Sequence, residues 1–206
     1  MNFKILYHIG RYVIMLGTAF SRPERFNMYY KETTRQMDSI GVGSLTIVAL
    51  IAVFIGAVTA VQFAYQLDGT LVPIYYIGYI VRDSMIIELA PTITCLVLAG
   101  KVGSNIAAEI GGMRQKEHID AMEIMGVNTA NYLITPKIIA ALVVIPLLVS
   151  IAAFVGVFGG YLSVVLPGYM TATEYEQGVR SFFDSYNFFL MYIKAFVFAF
   201  ILTSVA

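Results

Sequence analysis

The sequence predicts an all-α membrane protein that crosses the bilayer several times. Hydrophobic residues make up 59% of the 206-residue chain and charged residues only 13%, whereas soluble domains are about 25% charged. Long uncharged runs alternate with short charged segments, and about 20 apolar residues are enough for a helix to cross the hydrocarbon core. We therefore expect one polytopic membrane domain, 1–206, with four spans and an N-terminal helix on the membrane surface.

The segment before the first span, residues 1–38, is predicted to begin with an amphipathic helix. Apolar residues recur at helical spacing between Phe3 and Phe20, with basic and polar residues between them. Such a helix lies in the bilayer interface with its apolar face toward the lipid. Pro23 separates it from a second charged stretch. We interpret the segment as a packing element that anchors the bundle.

Four spans follow, and the second differs from the others. It contains the acidic Glu88 at membrane depth and Pro91, which should kink the helix because proline has no backbone N–H. The sequence stops just as the fourth span is completed, so we expect the chain to be part of a longer protein. The predicted boundaries are 39–67, 78–105, 133–165 and 186–206 for the spans, 106–131 for the loop after the second span, and 166–185 for the segment before the fourth.

Lysine and arginine predict the orientation of these spans. Most of them lie in the segment before the first span and in the loop after the second. The other two loops carry acids and only Arg82 and Arg180. Short cytoplasmic loops are enriched in lysine and arginine. The N-terminus and the 106–131 loop are therefore predicted to be cytoplasmic, and the 166–185 segment to face outward.

The 106–131 loop is predicted to hold a short amphipathic helix between stiff connections. Gly111 and Gly112 should end the preceding helix, a new helix should start near Met113, and Gly126 should end it. Pro136 should mark the entry to the third span. The loop could be a solvated connection, could lie on the lipid surface or could dock on a partner. Acids equal or exceed bases in it, which disfavours the lipid surface, and the residues alone leave the other two readings open.

Several kinds of chemistry are disfavoured by the sequence. The net charge is zero, so bulk charge does not support nucleic-acid binding. Lys101 follows a glycine as in a phosphate-binding loop, but the upstream glycine and the following Ser or Thr are missing. With His8 and His118 as the only histidines, a zinc site or a hydrolase triad is not expected. We expect no catalytic residue, no metal and no cofactor.

Two features of the spans have a functional and a purely structural interpretation. Glu88 and Lys194 could line a polar path, or they could extend toward the interface. For Glu88 we favour the path, and for Lys194 the two readings are about even. Ala152, Gly156 and Gly160 form a row of small residues that lets helices approach closely. That row could pack inside one bundle or form a dimer seam.

Four segments, which together cover much of the chain from about Gly41 onward, resemble the MlaE/YrbE family. They are ELAP (88–91), LAGKVGSNIAAEIGGMRQKEHIDAMEIMGVN (98–128), YLITPKIIAALVVIPLL (132–148) and YIKAFVFAF (192–200). The family comprises permease subunits of lipid ABC transporters that work with MCE-domain proteins. One position departs from the usual pattern, because Ile87 stands where the family often has an arginine beside the glutamate.

The resemblance implies a fold, partners and site residues. It implies an interfacial elbow helix, a coupling helix after the second span, and five spans, of which the fifth is missing here. It implies a homodimer in the bacterial inner membrane that binds a cytoplasmic ATPase subunit and a periplasmic MCE-domain protein and moves phospholipids. The residues assigned to ATPase coupling are Glu109, Arg114, Glu117, Asp120, Met122 and Glu123, and those assigned to the lipid cavity are Glu88, Leu89 and Pro91.

The sequence thus favours a non-enzymatic permease subunit whose partner binds ATP. The main alternative is an ion-coupled secondary carrier that uses Glu88 as its ion site. A membrane enzyme of lipid metabolism would need convergent polar catalytic residues, which are not evident, and a scaffold without transport activity is a further alternative.

Overall fold

The protein is described by a computed structural model that covers residues 2–19, 26–69 and 71–206. Within these ranges it is helical and contains no strand, which confirms the predicted all-α membrane fold. The predicted break at Pro23 lies outside the described residues. The helices are α1 (Asn2–Ala19), α2 (Phe26–Ile40), α3 (Val42–Leu67), α4 (Tyr76–Ser84), α5 (Ala90–Gln115), α6 (His118–Ile124), α7 (Thr129–Val165), α8 (Ala172–Arg180) and α9 (Ser185–Val205), and a π-helical stretch, Met85–Leu89, joins α4 to α5.

Four segments of the described chain are long and apolar enough to cross a membrane. They are Tyr29–Leu67, Tyr76–Gln115, Thr129–Val165 and Ser185–Val205. The third has 37 residues, which at 1.5 Å per residue is about 55 Å of helix, whereas the hydrocarbon core is about 30 Å thick. The long helices therefore extend beyond the bilayer, and their ends form the loops outside it.

The core of the bundle is a close crossing of α3 and α7. Gly56 and Gly156 lie so close together that a Cβ atom on Gly56 would overlap the backbone of Gly156. Gly159 lies equally close to the backbone of Val53. Small residues are what allow two helices to approach this closely in a membrane. The Ala152, Gly156 and Gly160 row thus lies inside one bundle, where all three residues are buried.

The structure corrects the predicted break at Gly111 and Gly112. Helix α5 continues through both glycines to Gln115, and the turn comes at Lys116 and Glu117. A glycine in a helix costs only about 1 kcal/mol relative to alanine, which neighbouring turns of a long helix offset. Glu117 adopts a left-handed backbone conformation with φ of 59°, and this residue ends the helix instead. The predicted stop at Gly126 is confirmed, with φ of 79°.

The structure also corrects the role of Pro136. Helix α7 begins at Thr129, and Pro136 lies two turns inside it. The Asn128 side chain accepts a hydrogen bond from the Asn131 backbone N–H at 3.2 Å and so caps the helix. A proline inside a membrane helix is tolerated where surrounding protein compensates for the lost hydrogen bond, and Pro136 is fully buried.

The α3–α7 crossing predicts a sharp difference between two glycine-to-alanine substitutions. Gly56→Ala forces a methyl group into the Gly156 backbone and should destabilise the protein by about 1–3 kcal/mol. Gly100→Ala, on the spanning helix α5, meets open space and should be neutral or stabilising by up to about 1 kcal/mol. Thermal unfolding of the detergent-solubilised protein measures both, and equal melting temperatures would contradict the predicted crossing.

Candidate functional site

The loop between α5 and α7, residues 116–128, is compact and has short connections. Its turns are closed by backbone hydrogen bonds, including Glu117 N–H to the Arg114 carbonyl at 3.1 Å and Gly126 N–H to the Glu123 carbonyl at 2.9 Å. The side chain of Asn128 additionally donates to the Thr18 carbonyl of α1 at 3.4 Å. The loop is therefore held at both ends and touches the N-terminal helix.

Most of the residues assigned to coupling lie on the exposed surface of this loop. Arg114, Glu117, Asp120 and Glu123 are exposed, and Met122 is half-buried. Glu123 is partly engaged, because its carboxylate accepts a hydrogen bond from the Thr129 hydroxyl at 3.2 Å. The side chains of the others have no hydrogen bond or ion pair to any described residue. They are free to contact something outside the chain.

Two apolar residues at the end of α6 were missed by the sequence assignment. Ile124 is 88% exposed and Met125 is 70% exposed. Helical spacing puts Met122 and Met125 on the same side of a helix, but a sequence alone does not show which side the bundle covers. Together with Glu117 and Asp120, Ile124 and Met125 form a mixed acidic and apolar surface, which we call the loop tip. Exposed apolar side chains that are grouped on one surface and bordered by polar residues are typical of sites that contact a protein partner or lipid.

Glu109, also assigned to coupling, occupies a different position. Its carboxylate forms an ion pair with the ammonium group of Lys137, whose side chain is only 5% exposed. Glu109 itself is 27% exposed. The pair connects the end of α5 to the beginning of α7 close to the loop. Glu109 is thus part of the support for the loop, whereas the loop tip is its exposed surface.

The residues assigned to a lipid cavity lie at an irregularity in the second span. The π-helical stretch Met85–Leu89 comes directly before Pro91, which occupies the first turn of α5. The Glu88 side chain is exposed on this stretch and has no hydrogen bond or ion pair to a described residue. Leu89 is half-buried and Pro91 is fully buried. Next to Glu88, the carbonyl of Ile87 accepts a hydrogen bond from the Lys194 ammonium group at 2.8 Å.

Arg82 has a structural role that the sequence did not reveal. Its side chain is 5% exposed, pairs with Asp83 at 2.7 Å, and donates to the carbonyls of Val179 and Ser181 at 2.7 and 2.8 Å. The charge count suggested only that Arg82 lies near a membrane interface. In the structure it fastens the end of α8 and the turn into α9 to the second span.

A large cavity between the described helices α7, α8 and α9 is separate from Glu88. Its volume is about 930 Å³, and its walls are mostly apolar and aromatic, with Phe154, Phe158, Phe188 and Met191 among the lining residues. Arg82 and Arg180 lie at its α8 end. Glu88, Leu89 and Pro91 are absent from its lining, so the surface around Glu88 is a separate, open face.

Comparison with known proteins points to one family. A family model described as Permease MlaE matches residues 33–206. The chain is 33% identical over 203 residues to a probable ABC transporter permease protein of Rickettsia bellii, covering 98% of this chain and 78% of that protein. It is 31% identical over 204 residues to the intermembrane phospholipid transport system permease protein MlaE of Haemophilus influenzae, covering 96% and 76%. A chloroplast protein of Arabidopsis thaliana, TRIGALACTOSYLDIACYLGLYCEROL 1, is 31% identical over 143 residues, covering 69% and 41%.

The ion pair at the base of the loop predicts a strong dependence of stability on both partners. Glu109→Gln leaves the Lys137 ammonium group buried without a countercharge and should destabilise the protein by about 3 kcal/mol. Replacing both residues, as Glu109→Leu with Lys137→Met, removes the buried charge and should recover most of that stability. Thermal unfolding in detergent compares the three proteins. A double variant no more stable than Glu109→Gln would contradict the assigned role.

Proposed function

The chain belongs to the MlaE permease family, and from this membership we propose that it is the membrane-spanning subunit of an ABC transporter that moves phospholipids between the inner and outer membranes of a bacterium. A separate cytoplasmic subunit binds and hydrolyses ATP, so this chain needs no cofactor of its own. Two copies form a homodimer in the inner membrane, and a periplasmic MCE-domain protein exchanges lipid with it. The N-terminus faces the cytoplasm.

The loop tip is the observation that carries the proposal. A subunit driven by a partner needs a surface for that partner and a stiff path from the surface to the spans. Ile124 and Met125 offer exposed apolar area, and Glu117 and Asp120 offer charges that can set the register of docking. The Glu109–Lys137 pair and the Asn128 cap hold the base of the loop. A movement of the loop tip is thereby passed to α5 and α7.

The open face around Glu88 supports the transport path. An unpaired acid at membrane depth is costly unless it faces protein or a wet cavity. In a homodimer the Glu88 faces of two copies could enclose such a cavity near the dimer axis. The phospholipid assignment is supported by the name of the Haemophilus influenzae relative, which is 31% identical to this chain.

Charge reversal at the loop tip should uncouple the transporter. Glu117→Lys and Asp120→Lys place positive charge on the proposed ATPase contact and should reduce ATP-driven lipid transport by about tenfold or more, the equivalent of losing roughly 1.4 kcal/mol of docking energy. The variants should still insert and fold, because both side chains are exposed and bonded to no described residue. The measurement uses the complete transporter, reconstituted in liposomes with a fluorescent phospholipid.

Asp68→Lys is the matched control, because it makes the same charge reversal on an exposed aspartate after α3 whose side chain is bonded to no described residue. It should leave association with the ATPase unchanged. Normal association and transport in both loop-tip variants would overturn the coupling role. Transport that follows a proton gradient and needs no ATPase would favour the ion-coupled carrier with Glu88 as its ion site.

A further inference from the structure

Lys194 connects α9 to the irregular part of the second span by one specific hydrogen bond. Its ammonium group donates to the main-chain carbonyl of Ile87 at 2.8 Å. Lys194 is half-buried, and Met191, which lies one turn earlier on the same side of α9, is fully buried. The lysine therefore points into the bundle, rather than extending along its own helix toward the interface.

The accepting carbonyl lies one helical turn before Pro91, the one residue of the second span that has no backbone N–H. In an α-helix the carbonyl of Ile87 would accept from the N–H of the residue four positions later, and that residue is Pro91. Proline has no N–H, and its ring also crowds the carbonyl four residues before it. The backbone responds with the π-helical stretch, in which the Ala90 N–H reaches the Met85 carbonyl.

A carbonyl without a donor is costly inside a membrane, because no water is present to replace the lost hydrogen bond. Lys194 supplies the replacement from a neighbouring helix, and a hydrogen bond from a charged donor is stronger than a neutral one. The amide that follows this carbonyl belongs to Glu88. The carbonyl, that amide and the Glu88 Cα atom belong to one rigid planar peptide unit, so fixing the carbonyl also constrains the position of the Glu88 Cα atom.

We propose that Lys194 is a positioning residue that replaces the backbone donor missing at Pro91 and thereby holds Glu88 on the open face of the second span. The proposal rests on the proposed function in one respect, since it takes that open face to be the transport path. It also explains why a lysine is placed at this depth of α9: the lysine acts on the backbone of the second span, and the exposed carboxylate beside it stays unpaired.

A double-mutant cycle tests this role. Lys194→Met is compared in two backgrounds, the parent with Pro91 and the variant Pro91→Ala, in which residue 91 again has an N–H to donate. With Pro91 present, loss of the lysine should reduce ATP-driven lipid transport roughly tenfold or more, as expected for a lost charged hydrogen bond. In the Pro91→Ala background, the same substitution should change transport less than about twofold.

A second readout reports the position of residue 88 without relying on transport. Glu88→Cys, made in a Cys95→Ala background, is labelled in liposomes with a water-soluble maleimide. Lys194→Met should change the labelling rate severalfold when residue 91 is proline and leave it unchanged when residue 91 is alanine. If the parent protein shows no ATP-driven transport but this labelling pattern appears, the proposed function fails while the positioning role stands.

Lys101 provides the matched control, because its ammonium group also donates to a main-chain carbonyl, that of Gly43 on α3. No proline lies four residues after Gly43, so Lys101→Met should have the same effect in both backgrounds. If Lys194→Met does not accumulate in membranes, Lys194→Gln takes its place. An equal effect of the Lys194 substitution in both backgrounds, or no effect in either, would overturn the proposal.

Discussion

Inside a bilayer, no water can replace a hydrogen bond that a main-chain carbonyl has lost, and in the proposed role of Lys194 a cation on a neighbouring helix replaces it. Two other cations of the described bundle also donate to main-chain carbonyls of another element. Lys194 donates to the Ile87 carbonyl beside the proline break. Arg82 donates to carbonyls at the end of α8. Lys101 donates to the Gly43 carbonyl at the beginning of α3. Each bond joins two different elements, so these cations hold the bundle together.

One long helix, α5, connects the loop tip to the stretch that carries Glu88. Helix α5 runs from Ala90 to Gln115 as one element of 26 residues, which is about 39 Å of helix. One end carries the loop, supported by the Glu109–Lys137 pair, and the other meets the π-helical stretch that carries Glu88. In the proposed function, a displacement of the loop is passed along α5 to the π-helical stretch Met85–Leu89. Lys194 holds that stretch from α9.

The sequence predicted the elements whose signal is local, and it failed where neighbours decide. The spans follow from apolar composition. The stop at Gly126 follows from the tolerance of glycine for a left-handed backbone conformation. Both signals are visible in a single sequence. The break expected at Gly111 did not occur, because glycine only weakens a helix and the surrounding turns offset that cost. The partners of Arg82 and Lys194 could not be predicted. The distribution of charges along the sequence indicates where a residue lies relative to the membrane, but not which helices are adjacent.

Two kinds of charged residue in the described chain differ in burial and in whether the fold depends on their charge. Lys137 is buried and paired, and a buried charge without its partner would destabilise the fold. Glu88, Glu117 and Asp120 are exposed and bonded to no described residue, so the fold does not need their charge. Two of them lie on a rigid loop outside the bilayer and one lies at membrane depth, where an unpaired acid is costly. In the proposed function, the first two belong to the surface that contacts the ATPase subunit, and Glu88 belongs to the surface that contacts the phospholipid.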